Sequence, residues 1–229
     1  MRILLISDLH GNYEALKEII SKEKYDDIIF LGDAVDYGPQ PAEVLDFLRE
    51  NSNHNMMGNH DYAVAFDEDC HCALAMHHLS EFTRENISKK LLSPQDIEFL
   101  KTFRKRDEFK IDGMNVLAMH ASPYNDLFGY LFSTEAEMVS KDENLKKYDL
   151  IMVGHTHFPM IYKSRIINPG SAGQPRDGKP YPWYAIMESD PFQISFKRFR
   201  YNSTKTLSIL ESLIGKDSAE FDQLRRFYS

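Results

Sequence analysis

The sequence predicts an α/β fold in which two β-sheets pack face to face with helices outside. Three observations carry that expectation. The first third of the chain alternates apolar runs with helical periodicity, the rhythm of a parallel sheet with helices on its faces. The second half is dense in short neighbouring strands, which implies a mixed sheet. The segments between and after carry apolar stripes at helical spacing, and two sheets back to back would leave an outer face for each stripe to cover.

Taken in order, residues 2–7 (RILLIS) form a β-branched apolar run that reads as a buried strand. Asn12 is placed to cap a helix bearing Leu16, Ile19 and Ile20 on one face. A second buried strand spans 27–31. A helix at about 41–50 follows, with Pro41 in its first turn and Val44, Leu45 and Leu48 aligned. Residues 53–57 read as a third strand. From Asp61 to about Leu100 the pattern turns helical: Leu74, Met76, Leu79 and Phe82 mark one helix, and Ser93-Pro94 opens another. Strands at 107–111 and 114–119 flank the hairpin turn Asp112-Gly113. A helix at about 133–146 and strands at about 149–153, 159–163, 165–168, 182–188 and 192–199 complete the sheets. Two helices broken at Gly215 fill about 203–228. The whole of 1–229 reads as one domain, with 61–106 as a helical, lid-like insertion.

Composition narrows the function classes. A formal net charge of -8 gives no general attraction for nucleic acid or anionic membranes, although a local positive site could still bind phosphate. Two cysteines, Cys70 and Cys72, are too few for a disulfide framework. No stretch reaches the roughly 18 apolar residues of a membrane span. The N-terminus runs straight into a strand, with neither the length nor the cleavage site of a signal peptide, so a cytoplasmic protein is expected. Composition is equally compatible with a monomer or a homo-oligomer.

Polar residues gather where the strands end. Asp8-Leu9-His10 follows the first, Gly32-Asp33-Ala34-Val35-Asp36 the second, and Gly58-Asn59-His60-Asp61 the third. His120 follows the strand at 114–119, and Gly154-His155-Thr156-His157 the strand at 149–153. Ligands of open α/β sheets bind beyond the carboxyl ends of strands. In an extended chain the partners of Asp8-x-His10 and of His155-x-His157 point to one side. With Asp33, Asn59 and His120 they make seven nitrogen or oxygen ligands, more than one ion takes and suited to two ions sharing a carboxylate. Imidazole mixed with carboxylate favours Mn, Fe, Zn, Ni or Co over Mg or Ca. Gly32, Gly58 and Gly154 each precede a ligand and permit a sharp turn or close backbone approach.

These motifs, in this order, resemble those of the calcineurin-like metallophosphoesterases, and residues 168–178 (NPGSAGQPRDG) are further similar to the small prokaryotic YfcE-like phosphodiesterase branch. The resemblance implies a four-layer α-β-β-α sandwich and hydrolysis of phosphodiesters, or also phosphomonoesters, by a metal-bound hydroxide. It implies one divalent transition ion on Asp8, His10, Asp33 and His157, and a second on Asp33, Asn59, His120 and His155, with manganese foremost. It implies His60 as general acid, oriented by Asp36; independently, an imidazole suits proton donation to a leaving alkoxide near neutral pH. The substrate expected is a small phosphate ester such as a nucleotide, with no membrane partner.

Two positions depart from the protein Ser/Thr phosphatases of that superfamily. Tyr37 stands where they carry Arg, and Asp61 where they carry Glu, which argues against a phosphoprotein substrate. Arg176 is the candidate phosphate contact in their place, because guanidinium matches phosphate geometry. The rival readings are a dinucleoside polyphosphate hydrolase of the same chemistry, a metal-regulated sensor, and a non-catalytic scaffold like the retromer subunit of this fold. A scaffold has no need of His60. The Asp67–Cys72 segment matches no zinc spacing and reads as an exposed loop entering a helix, while His54, His77 and His78 read as structural or solvated.

Overall fold

In the computed structural model, which describes residues 1–228, the first apolar run forms β1 (Arg2–Ile6), buried beyond its first residue. Ser229, part of the expected domain range, lies outside the described residues. Asn12 caps α1 (Tyr13–Lys22) by accepting the Ala15 N–H at 3.2 Å. β2 (Asp27–Phe30) leads to α2 (Pro41–Asn51), where Pro41 occupies a first-turn position whose N–H would have no partner anyway. β3 is only His54–Asn55, shorter than the expected 53–57; beyond it the Met56 N–H still donates to Phe30 O at 2.8 Å, and Met56 makes an isolated bridge with Arg104.

The chain then enters α3 (Asn59–Phe66), a helix that apolar periodicity does not announce, since Asn59, His60 and Asp61 are among its buried residues. α4 (Leu74–Thr83) continues through a π-type turn at Arg84–Ser88 into α5 (Lys89–Leu91). Ser93 caps α6 (Pro94–Lys101) as its sequence position foretells, with Asp96 closing the capping box. β4 (Arg106–Ile111) and β5 (Met114–Met119) pair across Asp112-Gly113, both at positive φ as the tight hairpin requires. α7 (Ser133–Lys141) ends before the expected 146, giving way to a 3-10 turn at Glu143–Leu145. β6 (Leu150–Met152), β7 (Pro159–Tyr162), β8 (Ile166–Pro169), β9 (Trp183–Ser189) and β10 (Phe192–Arg198) precede α8 (Thr204–Ile214) and α9 (Ala219–Leu224), which break at Gly215.

Two five-stranded sheets result, ordered β10-β9-β1-β2-β3 and β4-β5-β6-β8-β7. In the first, β1, β2 and β3 are parallel, as the βαβ rhythm implies, but β9 joins the free edge of β1 antiparallel and makes the sheet mixed. In the second, β5, β6 and β8 are parallel and the two edge strands antiparallel. Strand alternation divides the core. Ile3, Leu5, Ile29 and Leu31 meet Val116, Ala118, Met152 and Ile167 between the sheets. Leu4, Ile6, Ile28 and Phe30 face Leu16, Val44 and Leu48 of α1 and α2. Leu117 and Ile151 face Ala136 and Val139 of α7. Leu79, Leu210, Leu224 and Tyr228 close around Tyr37. Among the described residues no helix is long and apolar enough to cross a membrane.

Leu5 is fully buried between the sheets. Leu5→Ala is expected to cost about 2–5 kcal/mol, read as a lower urea midpoint with an unchanged slope. An unchanged midpoint would show that the sheets do not depend on this layer.

Candidate metal centre

The loops leaving the strands share one backbone feature. Asp8 (φ 54°), His10 (45°), Asp33 (62°), Asp36 (72°), His155 (66°) and His157 (64°) all lie in the left-handed region. Asp and His are enriched there relative to other side chains, yet such a conformation still costs on the order of 1–3 kcal/mol and persists only where surroundings enforce it. This corrects the reading of the two i, i+2 pairs. They enter one site because each residue reverses the chain, not because the chain is extended. The reversals are held by backbone bonds between loops: Asp8 N–H to Gly32 O at 2.8 Å, His10 N–H to Asp33 O at 2.9 Å, and Gly154 N–H to His120 O at 2.7 Å. At Gly58, a Cβ would stand 2.0 Å from Asp33 Oδ1, so only glycine allows this approach.

Two groups of side chains meet. In one, His157 Nε2 lies 3.4 Å from Asp8 Oδ1 and 3.3 Å from His10 Nε2. In the other, His120 Nε2 lies 3.1 Å from Asp33 Oδ2 and 3.2 Å from Asn59 Oδ1, and His155 Nδ1 lies 3.0 Å from the same amide oxygen. Asp33 Oδ2 is also 3.8 Å from His10 Nε2, so Asp33 stands between the groups. Partners behind these side chains fix which atom faces inward. His10 Nδ1 is held by Val35 O at 3.1 Å, His120 Nδ1 by Leu31 O at 2.7 Å, and His157 Nδ1 by Gln174 O. Asn59 donates Nδ2 to Cys70 O at 2.8 Å, which turns its oxygen to the site.

The donor set fits divalent cations. Both Asp8 oxygens are buried with no hydrogen-bond partner, and so is His155 Nε2. An orphaned buried carboxylate is costly unless something positive meets it. Burial pushes the Asp8 carboxyl up to about 7, with the His120 charge opposing and the Asp33 charge adding. Burial would raise Asp33 too, but the His120 and His60 charges outweigh it and hold that carboxyl well below its usual range. Burial lowers His10 to about 3, against the pull of Asp33, and keeps its lone pair available as neutral imidazole.

Beside the two groups sits a histidine–carboxylate pair. His60 Nδ1 lies 2.7 Å from Asp36 Oδ2. Asp36 Oδ2 also accepts Ser80 Oγ at 2.6 Å, and Oδ1 accepts Thr83 Oγ1 and the Tyr37 N–H. Burial alone would lower His60, but the Asp33 charge and the Asp36 bond and charge overcome it and raise the imidazole to about 9. Tyr37 contributes its ring, 5.0 Å from both His10 and His60.

Three residues contribute in ways that motif reading does not assign. Asp61 is fully buried, and its carboxylate accepts four backbone N–H groups: Asp33 at 2.8 Å, Ala34 at 2.8 Å, Val35 at 3.2 Å and Gly58 at 3.0 Å. The spacing of Gly58 and Asp61, N-cap to third helical residue, is the signal that exposes it. Ser80 and Thr83 carry no such signal, since hydroxyls on a helix ordinarily face water. Arg176 lies at the site's margin, donating to Gln174 Oε1 at 2.9 Å with its Nε buried and unpartnered. The Asp67–Cys72 loop is exposed at Asp67, Glu68 and His71, but Cys70 is buried with its sulfur 2.9 Å from Cys72 Sγ, and can join His60 and Cys72, or Asp69 and His77, in a ligand group. His54 pairs with Asp107, away from the centre.

Residues 1–191 match the family profile described as the calcineurin-like phosphoesterase superfamily domain. An uncharacterized protein of Methanocaldococcus jannaschii is 31% identical over 227 residues, 89% of each chain. The crystal structure of a metallophosphoesterase from Sphaerobacter thermophilus superposes with a TM-score of 0.80 at 30% identity, covering 99% of both chains. A symmetrical bis(5'-nucleosyl)-tetraphosphatase of Nitrosospira multiformis is 28% identical over 128 residues, 53% of this chain and 43% of that protein.

Removing Asp61 tests how much the centre depends on it. Asp61→Ala orphans four buried donors and is expected to cost about 3 kcal/mol or more, seen as a lower melting temperature together with weaker divalent-cation binding by calorimetry. Asp61→Asn, which keeps one acceptor oxygen, should fall between. Wild-type melting and metal binding in Asp61→Ala would overturn this role.

Proposed function

The chain belongs to the calcineurin-like phosphoesterase superfamily, and from that premise we propose that it hydrolyses small phosphodiesters at a pair of divalent transition-metal ions, manganese foremost. The observation that carries the reading is Asp33, whose Oδ2 stands between His120 Nε2 and His10 Nε2 and so can serve both ligand groups. In this reading Asp8, His10, Asp33 and His157 hold one cation, and Asp33, Asn59, His120 and His155 hold the other. Bound there, two such ions would activate the attacking water and neutralise charge on a phosphoryl oxygen.

The chain's own groups do the rest. His60 gives a proton to the leaving oxygen; its Nδ1 is committed to Asp36, so Nε2 is the donating edge. Asp36 holds the ring's orientation and favours its charged form. Arg176 takes an unreacting phosphate oxygen. The helical segment 61–106 acts as a lid, a role supported by Ser80 and Thr83 of α4 and by Ser88, which bond Asp36 from within that segment. Lid and proton donor then form one hydrogen-bonded unit. A non-catalytic scaffold would have no use for that unit.

A dinucleoside polyphosphate as substrate of the same chemistry is favoured by the likeness to the Nitrosospira tetraphosphatase. A panel of diesters, monoesters and dinucleoside tetraphosphates separates these substrates; monoesters cleaved far faster than both others would overturn the diester preference.

The metal-stripped protein is expected to regain hydrolysis of bis-p-nitrophenyl phosphate when Mn²⁺ is added. His60→Ala should then lose about 10²–10⁴-fold on an alkyl diester, and less on the nitrophenyl ester, whose leaving group needs little protonation. Equal losses on both esters would remove His60 from the acid role. No turnover of any diester or monoester with any transition metal would favour the scaffold.

A further inference from the structure

A cavity of about 470 Å³ opens between α4, the loop at 175–180 and the turn after α9. That volume is within the range of small-molecule sites. Its lining holds three cations, Arg176, Lys179 and Arg226, and no carboxylate, in a chain whose net charge is -8. Among the described residues, no Asp or Glu pairs with any of the three. Asp177, next in the chain to Arg176, is taken up by Arg198 at 2.7 Å and Trp183 Nε1 at 3.0 Å. Such a concentration of positive charge with no ion-pair partner favours an anion, and guanidinium groups favour phosphate in particular. Apart from Gln223 the remaining wall is apolar, with Met76, Leu79 and Phe227 offering a surface for a flat ring.

The cavity adjoins the centre through Arg176. Gln174, which accepts from Arg176 at 2.9 Å through its side chain, also holds His157 Nδ1 through its backbone carbonyl. Part of the cavity comes from residues 223–227, beyond the 1–191 covered by the family profile.

We infer that this cavity is a second anion subsite that binds the phosphate and ring of a nucleotide-sized, non-reacting part of the substrate. The word substrate rests on the phosphoesterase reading; binding to the cavity does not. Lys179 and Arg226 take the phosphate, Phe227 and Met76 the ring, and Arg176 is shared between this group and the reacting phosphoryl.

Adenosine monophosphate is the probe, titrated calorimetrically into the full-length, manganese-loaded protein. Lys179→Ala/Arg226→Ala is expected to weaken its binding at least ten-fold. Phe227→Ala is expected to weaken adenosine monophosphate several-fold while leaving inorganic phosphate within two-fold of wild type. Melting curves verify that both variants fold, and the double variant alters only side chains at the cavity's charged rim should Phe227→Ala fail to. No detectable binding to wild type at millimolar nucleotide, or wild-type affinity in the double variant, would overturn the subsite. Turnover of bis-p-nitrophenyl phosphate by the wild type reads the phosphoesterase assignment separately, so either can fail alone.

Discussion

A reciprocal clamp between the loop after β2 and the first turn of α3 is the interaction on which the rest of the centre depends. Asp61 accepts the N–H groups of Asp33, Ala34 and Val35, while Asp33 Oδ1 accepts the N–H of His60 at 2.9 Å. Each carboxylate thus satisfies backbone donors of the segment that carries the other. The clamp sets Asp33 between two sets of imidazoles and sets His60 against Asp36 in one stroke, because Asn59, His60 and Asp61 are successive residues of one helical turn. The left-handed turn at Asp33 is tolerable for the same reason, its N–H being met by Asp61, while at Asp36 the N–H is met by the buried Ser88 Oγ at 3.2 Å.

Much of this was legible in the sequence, and what was not has physical reasons. Strand ends are marked by a change from apolar runs to Gly, Asp, Asn and His, so the residues that converge could be named before their geometry was known. The helix at Asn59 could not be read from hydropathy, because its buried face is polar. The mixed character of the first sheet was hidden too. The rhythm of β1, β2 and β3 is local, whereas the pairing of β9 with β1 rests on contacts such as Arg2 opposite Glu188. Ser80 and Thr83 are small hydroxyls on a helix, and only their proximity to Asp36 gives them meaning. Tyr37 is instructive in the other direction. Read as a departure from a phosphate-binding arginine, it is buried among Leu79, Leu210 and Leu224 and supports the imidazoles by packing.

Burial gives the centre its electrostatic character. Carboxylates and imidazoles shut away from water interact strongly and lose the option of hydration. The outcome differs by neighbour: the His120 and His60 charges hold Asp33 below its ordinary range and the His60 bond and charge hold Asp36 there, whereas at Asp8 burial outweighs the opposing His120 charge and the carboxyl rises. Three residues of one type therefore occupy distinct states within one pocket, set by the surroundings of each side chain.

The order of strands also bears on synthesis. β1 gains β2 soon after it is made, but its other edge stays bare until Glu188 can sit opposite Arg2. Tyr37 likewise waits for Leu224 and Tyr228 to cover it. A polypeptide emerging from the ribosome therefore carries an apolar, half-paired ribbon through most of its elongation, the kind of surface that chaperones shield.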